Sequence, residues 1–329
     1  MSKNSAAVKS VEQPSLNGQS DRGTNKPRRP DTAERARGKR LDRRFGFPWI
    51  LPAMIVSVGV LYYCIGYTGY ISTLNWDGAS PEPIPVGAQN YTHLFADPVF
   101  WKSVVHTGIF FVVTFTVQVA LGMFFAILLH SKVRLGVFYK VLIFVPVVLA
   151  PATMAPVFRT IYAPDGQINQ IIRALGLHDF SYAWLADQNT ALIAVMSAAI
   201  WQSTGVVFVL YYAAMSQVEP ELMEAARLDG AGNFRIIRSI IWPGVRGTTL
   251  AIAILTAIGS LKTFDWPFLI TQGGPSYGTE FLGTQIYRVS VALSQVGYGA
   301  ALSIILLVLA LTVAVILNIA GKEKGARRV

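Results

Sequence analysis

Three hydroxyl side chains, Thr256, Ser260 and Thr263, recur at steps of four and three residues inside a long apolar run, and Phe264, Asp265 and Trp266 follow at its end. That spacing lines one face of a helix. Hydroxyls, an acidic group and aromatic rings together match a sugar, whose own hydroxyls take hydrogen bonds and whose ring face stacks on an aromatic side chain. Packing of helices through small residues accounts for the Thr and Ser equally well. It does not account for Lys262 and Asp265, two charges three residues apart, placed where one helix would let them pair. A second polar cluster, Trp201-Gln202-Ser203-Thr204-Gly205, interrupts another apolar run. Its glycine is expected to weaken the helix and expose backbone groups to a hydroxyl-rich ligand or to water. Pro146, Pro151 and Pro156 recur at five-residue steps in a third run, where the helix is expected to kink. His106, Thr107, Thr114, Thr116 and Gln118 show no ordered spacing that ties them to a ligand and read as groups bonding between helices.

Enzyme chemistry finds no constellation. The histidines, His93, His106, His130 and His178, are scattered without metal-ligand spacing. No Ser, His and acidic group can be grouped into a nucleophilic triad. A Gly-x-x-x-x-Gly-Lys-Ser/Thr loop is absent, so ATP is not bound by the usual route. The single cysteine, Cys64, excludes an intrachain disulfide and a Cys-type metal site. The expectation is a non-catalytic chain with no cofactor or metal of its own, driven by another polypeptide.

The elements that must position these residues are membrane spans. Of 329 residues, 53% are hydrophobic and 14% charged, too apolar a balance for an ordinary soluble domain. Six stretches are long enough to cross a bilayer: about 48–72, 103–130, 137–162, 191–215, 248–270 and 300–320. The net charge of +10 does not indicate nucleic acid, because 12 of the 28 Lys and Arg fall in residues 1–44 and the others sit mainly near the ends of apolar runs. Residues 1–45 hold few large apolar side chains and read as a disordered basic tail. Its Arg35–Arg44 stretch sets orientation or touches anionic headgroups. Basic residues also mark the loop with Lys132, Arg134 and Lys140, the loop with Arg227, Arg235, Arg238 and Arg246, and the C-terminus, residues 323–329. Both termini are therefore expected in the cytoplasm, with a six-helix domain over 46–322 between them.

One cytoplasmic loop, 217–246, carries its own signal. Pro220 suits a first helical turn, Glu219, Glu221 and Glu224 complement the positive end of the helix dipole, and Gly230 supplies a C-terminal stop. A short helix is expected over 220–229. Asn233 is expected to cap a second that ends before Pro243. Ala225, Ala226, Gly230, Ala231 and Gly232 keep this knuckle small, so another surface can approach its backbone, and Asp229 is expected to brace the corner.

Glu224-Ala-Ala-x-x-Asp229-Gly-Ala231, with Phe234, Ile237, Ile240 and Pro243 following, resembles the EAA loop of permease subunits of binding-protein-dependent ABC importers. Thr271-Gln-Gly-Gly-Pro275, then Thr279 and Ile286-Tyr287-Arg288, resembles the segment before the last membrane helix in carbohydrate permeases of the maltose and glycerol-phosphate type. The resemblance covers about residues 47–319. Trp242 stands where the family has Leu, and Gly247 where a second proline is common. The resemblance implies an all-α membrane protein with the type I ABC importer permease fold: six transmembrane helices and a cytoplasmic coupling helix between the fourth and fifth. It also implies a bacterial cytoplasmic membrane, a second homologous permease subunit, a pair of ATPase subunits holding ATP and Mg, and an extracytoplasmic sugar-binding protein that lands on the long outer loops. Glu224, Ala225, Ala226, Asp229, Gly230, Ala231 and Phe234 would meet the ATPase. Thr256, Ser260, Thr263, Phe264, Asp265, Trp201, Gln202 and Ser203 would meet a saccharide, weighed against the alternatives of glycerol phosphate or another solute, and of a membrane scaffold or enzyme that transports nothing.

Overall fold

A computed structural model describes residues 32–130 and 133–326, with side chains from residue 50 to 319 apart from 131 and 132. The expected N-terminal tail lies outside the described residues up to residue 31, as do Lys132 and residues 327–329 of the expected C-terminal segment. Two compact units, Met1–Leu61 and Tyr62–Val329, divide the chain. Helix α1 (Thr32–Ile71) crosses that division and takes in the rest of the expected tail. All the other elements belong to the second unit.

After α1 a two-stranded antiparallel ribbon, β1 (Leu74–Asn75) and β2 (Ile84–Pro85), leads to α2 (Gln89–Ala96) and α3 (Pro98–His130). The amide of Asn90 holds the ribbon by donating to the carbonyls of Ser72 and Leu74, both at 2.9 Å. Along α3 the buried positions Ser103, Thr107, Phe110, Thr114, Gln118, Gly122, Ala126 and Leu129 follow steps of three and four, one continuous stripe. Helix α7 (Gln188–Met215) packs along that stripe. Together they form the spine of the bundle.

The third expected span is two helices, α4 (Gly136–Val148) and α5 (Pro151–Ile161), bent by 99°. Only one of its three prolines makes the break. Pro151 opens α5, and Leu149 and Ala150 before it are extended, as residues preceding proline prefer. Pro146 and Pro156 stay inside their helices. Helix α6 (Gln167–Ala174) then leads to α7.

After α7 come α8 (Pro220–Leu228) and α9 (Asn233–Ile236), then a π-helical run over Ile237–Ile241, a single turn α10 (Trp242–Gly244), and α11 (Arg246–Leu261). Two expectations are corrected here. Asn233 is the first helical residue rather than the cap, which is Gly232, and no side chain caps α9. The helical path also continues through Pro243: the Trp242 N–H reaches back to Ile237 O, a wide turn that relieves the clash a proline makes in an α-helix. The chain turns at Val245, where the two segments are bent by 66°.

The fifth expected span, 248–270, also breaks. Helix α11 stops at Leu261 and α12 (Asp265–Thr271) starts afresh, because Pro267 in a continuous helix would strike the carbonyl of Thr263. Helix α13 (Leu282–Tyr287), a second π-helical run (Arg288–Ala292) and α14 (Val296–Ala326) complete the chain. Among the described residues four helices are long and apolar enough to cross a membrane, and up to six spans result if each bent pair counts as one.

Candidate functional site

The backbone breaks open onto a cavity. It measures about 340 Å³ and is walled by α3, α7, α11, the α11–α12 junction and, at the α4–α5 bend, Pro151. Thr256, Ser260, Thr263, Phe264, Asp265, Gln202 and Ser203 all line it. Trp201 does not. Its neighbours on α7 face inward, whereas the Trp201 ring points aside, meets Phe158 at 5.4 Å and is exposed. Trp266 takes the inner position instead, buried with Phe158 against it at 5.5 Å.

The hydroxyls of this wall divide into two sets. Ser260 donates to Thr256 O at 2.7 Å and Thr263 to Gly259 O at 3.0 Å, each satisfied by its own helix. Thr114 donates likewise to Phe110 O. Gln118, Ser203 and Thr256 behave differently: none has a side-chain hydrogen-bond partner among the described residues, and all three line the cavity. Gln118 is only 4% exposed as a residue, and its amide, with no protein partner, is left to whatever fills the cavity it lines. Sequence reasoning assigns Thr114 and Gln118 to bonding between helices. The signal that locates them is the stripe Phe110, Thr114, Gln118 on one face of α3.

Lys262 and Asp265 both line the cavity, but they form no ion pair with each other; among the described residues the only one is Arg288–Glu280. Lys262 caps α11 and Asp265 begins α12, so the break removes the helical spacing that would have joined them. Asp265 instead sits favourably at a helix N-terminus. Gly205 is corrected as well. It is buried, and a Cβ there would come within 2.7 Å of Ile143 O and 3.1 Å of Phe144 Cα. It lets α4 lie directly against α7 rather than exposing backbone to a ligand.

At one end of the bundle the knuckle takes the expected form. Helix α8 starts at Pro220, and Gly230 adopts φ +77°. The N–H of Ala231 bonds to Ala226 O at 2.9 Å and that of Gly230 to Arg227 O at 3.0 Å, the paired closure of a left-handed helix cap. Backbone alone makes the corner, and the Asp229 side chain forms no hydrogen bond among the described residues. Met223, Ala226 and Ala231 pack on a core that joins Met123, Leu129, Phe208, Tyr211 and Met215 of α3 and α7 to Ile236, Ile241 and Val245 of the segment after the knuckle. Glu224, Ala225 and Gly230 face outward, and Leu228 and Phe234 are 88% and 76% exposed.

At the other end the 272–280 loop is held by cations. Lys102 Nζ donates to Ser276 O at 2.9 Å and to Gln188 Oε1 at 3.0 Å. Arg288 lies over the Tyr277 ring at 4.7 Å and meets Glu280 at 3.4 Å. Burial pushes the Glu280 carboxyl above its usual range, with Arg288 pulling the other way.

Residues 118–322 match the family described as the binding-protein-dependent transport system inner membrane component. The chain is 31% identical to the probable ABC transporter permease protein YurN of Bacillus subtilis, over 80% of this chain and 91% of the relative. It is 30% identical to the diacetylchitobiose uptake system permease protein NgcF of Streptomyces coelicolor, over 91% of this chain and 90% of that one. Its fold matches a chain of a bacterial ABC transporter involved in the import of the acidic polysaccharide alginate, with a TM-score of 0.71 at 20% identity, covering 86% of this chain and 99% of the other. The all-α architecture is thus that of an ABC importer permease, and the chain belongs to the family of binding-protein-dependent transport system inner membrane components.

Proposed function

We propose that this chain is one permease subunit of an ATP-driven importer that receives a di- or oligosaccharide from an extracytoplasmic binding protein and passes it through the cavity by alternating access. The observation that carries the reading is the unspent polar set: Gln118, Ser203 and Thr256 line a cavity of about 340 Å³ beside the aromatic Phe264 and Trp266. Such a volume falls in the range of small-molecule sites, about 300–1,000 Å³. Free amide and hydroxyl groups near aromatic faces suit the two surfaces of a sugar. The names of the relatives, diacetylchitobiose uptake and alginate import among them, support a saccharide.

In this reading the knuckle end lies in the cytoplasm with both termini. A companion permease of similar fold completes the pathway, and two ATPase subunits hold ATP and Mg and each receive one knuckle. Glu224 pairs with a basic residue there, Ala225 and Gly230 allow close contact, Ala226 instead seats the helix on the permease's own core, and Leu228 and Phe234 fill apolar hollows. Closure of the ATPases then moves α8 and, through the apolar core it shares with the ends of α3 and α7, the cavity walls. Lys262 favours a second reading, an anionic solute such as glycerol phosphate. Asp265 in the same wall opposes it.

The test is ATP hydrolysis by the reconstituted complex with its binding protein and a panel of mono- and oligosaccharides, comparing wild type with Gly230→Asp. Stimulation by one sugar that the substitution abolishes in an assembled complex supports both the substrate class and the knuckle. Stimulation only by a phosphorylated or peptide ligand removes the saccharide.

A further inference from the structure

Both helix breaks beside the cavity meet at one side chain. Gln202 Nε2 donates to Leu149 O at 2.7 Å, and Gln202 Oε1 accepts from the indole N–H of Trp266 at 2.9 Å. Leu149 stands at the 99° bend between α4 and α5, where the helical ladder is interrupted and the N–H groups of Thr153 and Met154 both turn to Ala150 O. Trp266 lies in the first turn of α12, just beyond the break after α11. Helix α5 joins the same group of contacts, since Phe158 sets its ring edge-on to Trp266.

Gln202 is half-buried and lines the cavity. Its amide still has one N–H and one lone pair to offer, and these are the groups that a hydroxyl-bearing ligand exchanges. Taking the permease reading as its ground, we propose that Gln202 is a positioning residue that interlocks the two helix breaks: it ties the α4–α5 bend and α12 to one point on α7 and holds the cavity at its present width. A sugar entering the cavity competes for the amide and releases both ties together. A bond to either break alone would hold one wall. The two-ended amide makes the walls move as one.

The experiment is ATP hydrolysis by the complete complex in proteoliposomes, read first with no sugar and then with the saccharide panel, for Gln202→Leu, Gln202→Glu and Trp266→Phe. Gln202→Leu removes both ties. Gln202→Glu keeps an acceptor for Trp266 and loses the donor to Leu149, and Trp266→Phe deletes one N–H while keeping the ring packed on Phe158. Sugar-free hydrolysis is expected to rise about tenfold in Gln202→Leu and about threefold in each of the others, the population shift that losing two or one interhelical bonds allows. Adding Trp266→Phe to Gln202→Leu is expected to change nothing more. Unchanged sugar-free hydrolysis in an assembled Gln202→Leu complex, or in Trp266→Phe should the first fail to assemble, overturns the interlock and leaves Gln202 as ordinary helix glue. Because this readout needs no sugar, it stands apart from the substrate assignment, which falls only if no saccharide stimulates the wild type.

Discussion

The hydroxyl of Tyr211, near the end of α7, lies 2.9 Å from Thr249 Oγ1 near the start of α11. Thr249 donates its own proton to Val245 O at 3.2 Å, so Tyr211 is the donor of the pair. The bond joins the helix entering the knuckle to the helix leaving it, and Tyr211 is fully buried. Tyr211→Phe is expected to cost about 1 kcal/mol, the usual worth of one intramolecular hydrogen bond. Thermal unfolding of Tyr211→Phe, Thr249→Val and the double variant checks it. Additive losses would show that the two hydroxyls do not act together.

Gln118 makes the opposite prediction for stability. Its amide lines the cavity and has no protein partner, so Gln118→Leu breaks no bond within the protein and is expected to leave the melting temperature unchanged or higher. Uptake should meanwhile require about tenfold more ligand-loaded binding protein, in line with loss of a buried hydrogen bond to substrate. A variant that melts lower and transports normally would remove Gln118 from the substrate path.

Gly230 isolates a backbone effect. Nothing lies within 4 Å of a Cβ placed there, yet its φ is +77°. Gly230→Ala is therefore expected to lose about 1 kcal/mol through conformation alone, and Gly230→Asn less, because Asn tolerates the left-handed region. Both should weaken coupling of hydrolysis to uptake in that order. Equal behaviour of Ala and Asn would count against the cap as the cause.

Glu280 gives a pH dependence with a definite sign. Its folded pKa is raised above the ordinary 4.5 by burial, the Arg288 charge only partly offsetting this. The folded state then holds the proton more tightly than the unfolded chain, so this contribution favours folding at and below that range and is lost as pH rises through the folded value. Glu280→Gln should flatten that part of the profile. Melting temperatures of both proteins across an acid-to-neutral series decide it, and parallel curves would refute the assignment.

Legibility in the sequence follows the range of the interactions. The knuckle is readable because Pro220 and Gly230 act on their own backbone: one fixes φ at a helix start and the other permits a left-handed stop. The hydroxyl face of α11 is readable because Thr256 and Ser260 are one turn apart. The breaks are not. Pro146, Pro151 and Pro156 look alike in sequence, and only packing decides that the ladder opens at Pro151. Pro267 is hidden in an apolar run that reads as continuous. Trp201 and Trp266 show the same limit, since which of two indoles faces the cavity depends on the rotation of α7 and on a partner 64 residues away. Gln118 escapes sequence reasoning because its role lies in a bond it does not make.

The π-helical run before Pro243 has a bearing on phase. Ile236, Ile241, Val245 and Ile252 all enter one core cluster, at steps of five, four and seven residues. Four and seven keep a side chain on the same face of an α-helix, whereas five turns it away by more than a quarter revolution. The one extra residue in the wide turn absorbs that excess. It keeps Ile236, Ile241 and Val245 on one inward face as far as the 66° turn at Val245, beyond which α11 presents Ile252 to the same core. A one-residue deletion within 237–241 would turn Val245 by about 100° about that segment's axis, away from the core on which the start of α11 is seated, without touching a single residue of the cavity wall.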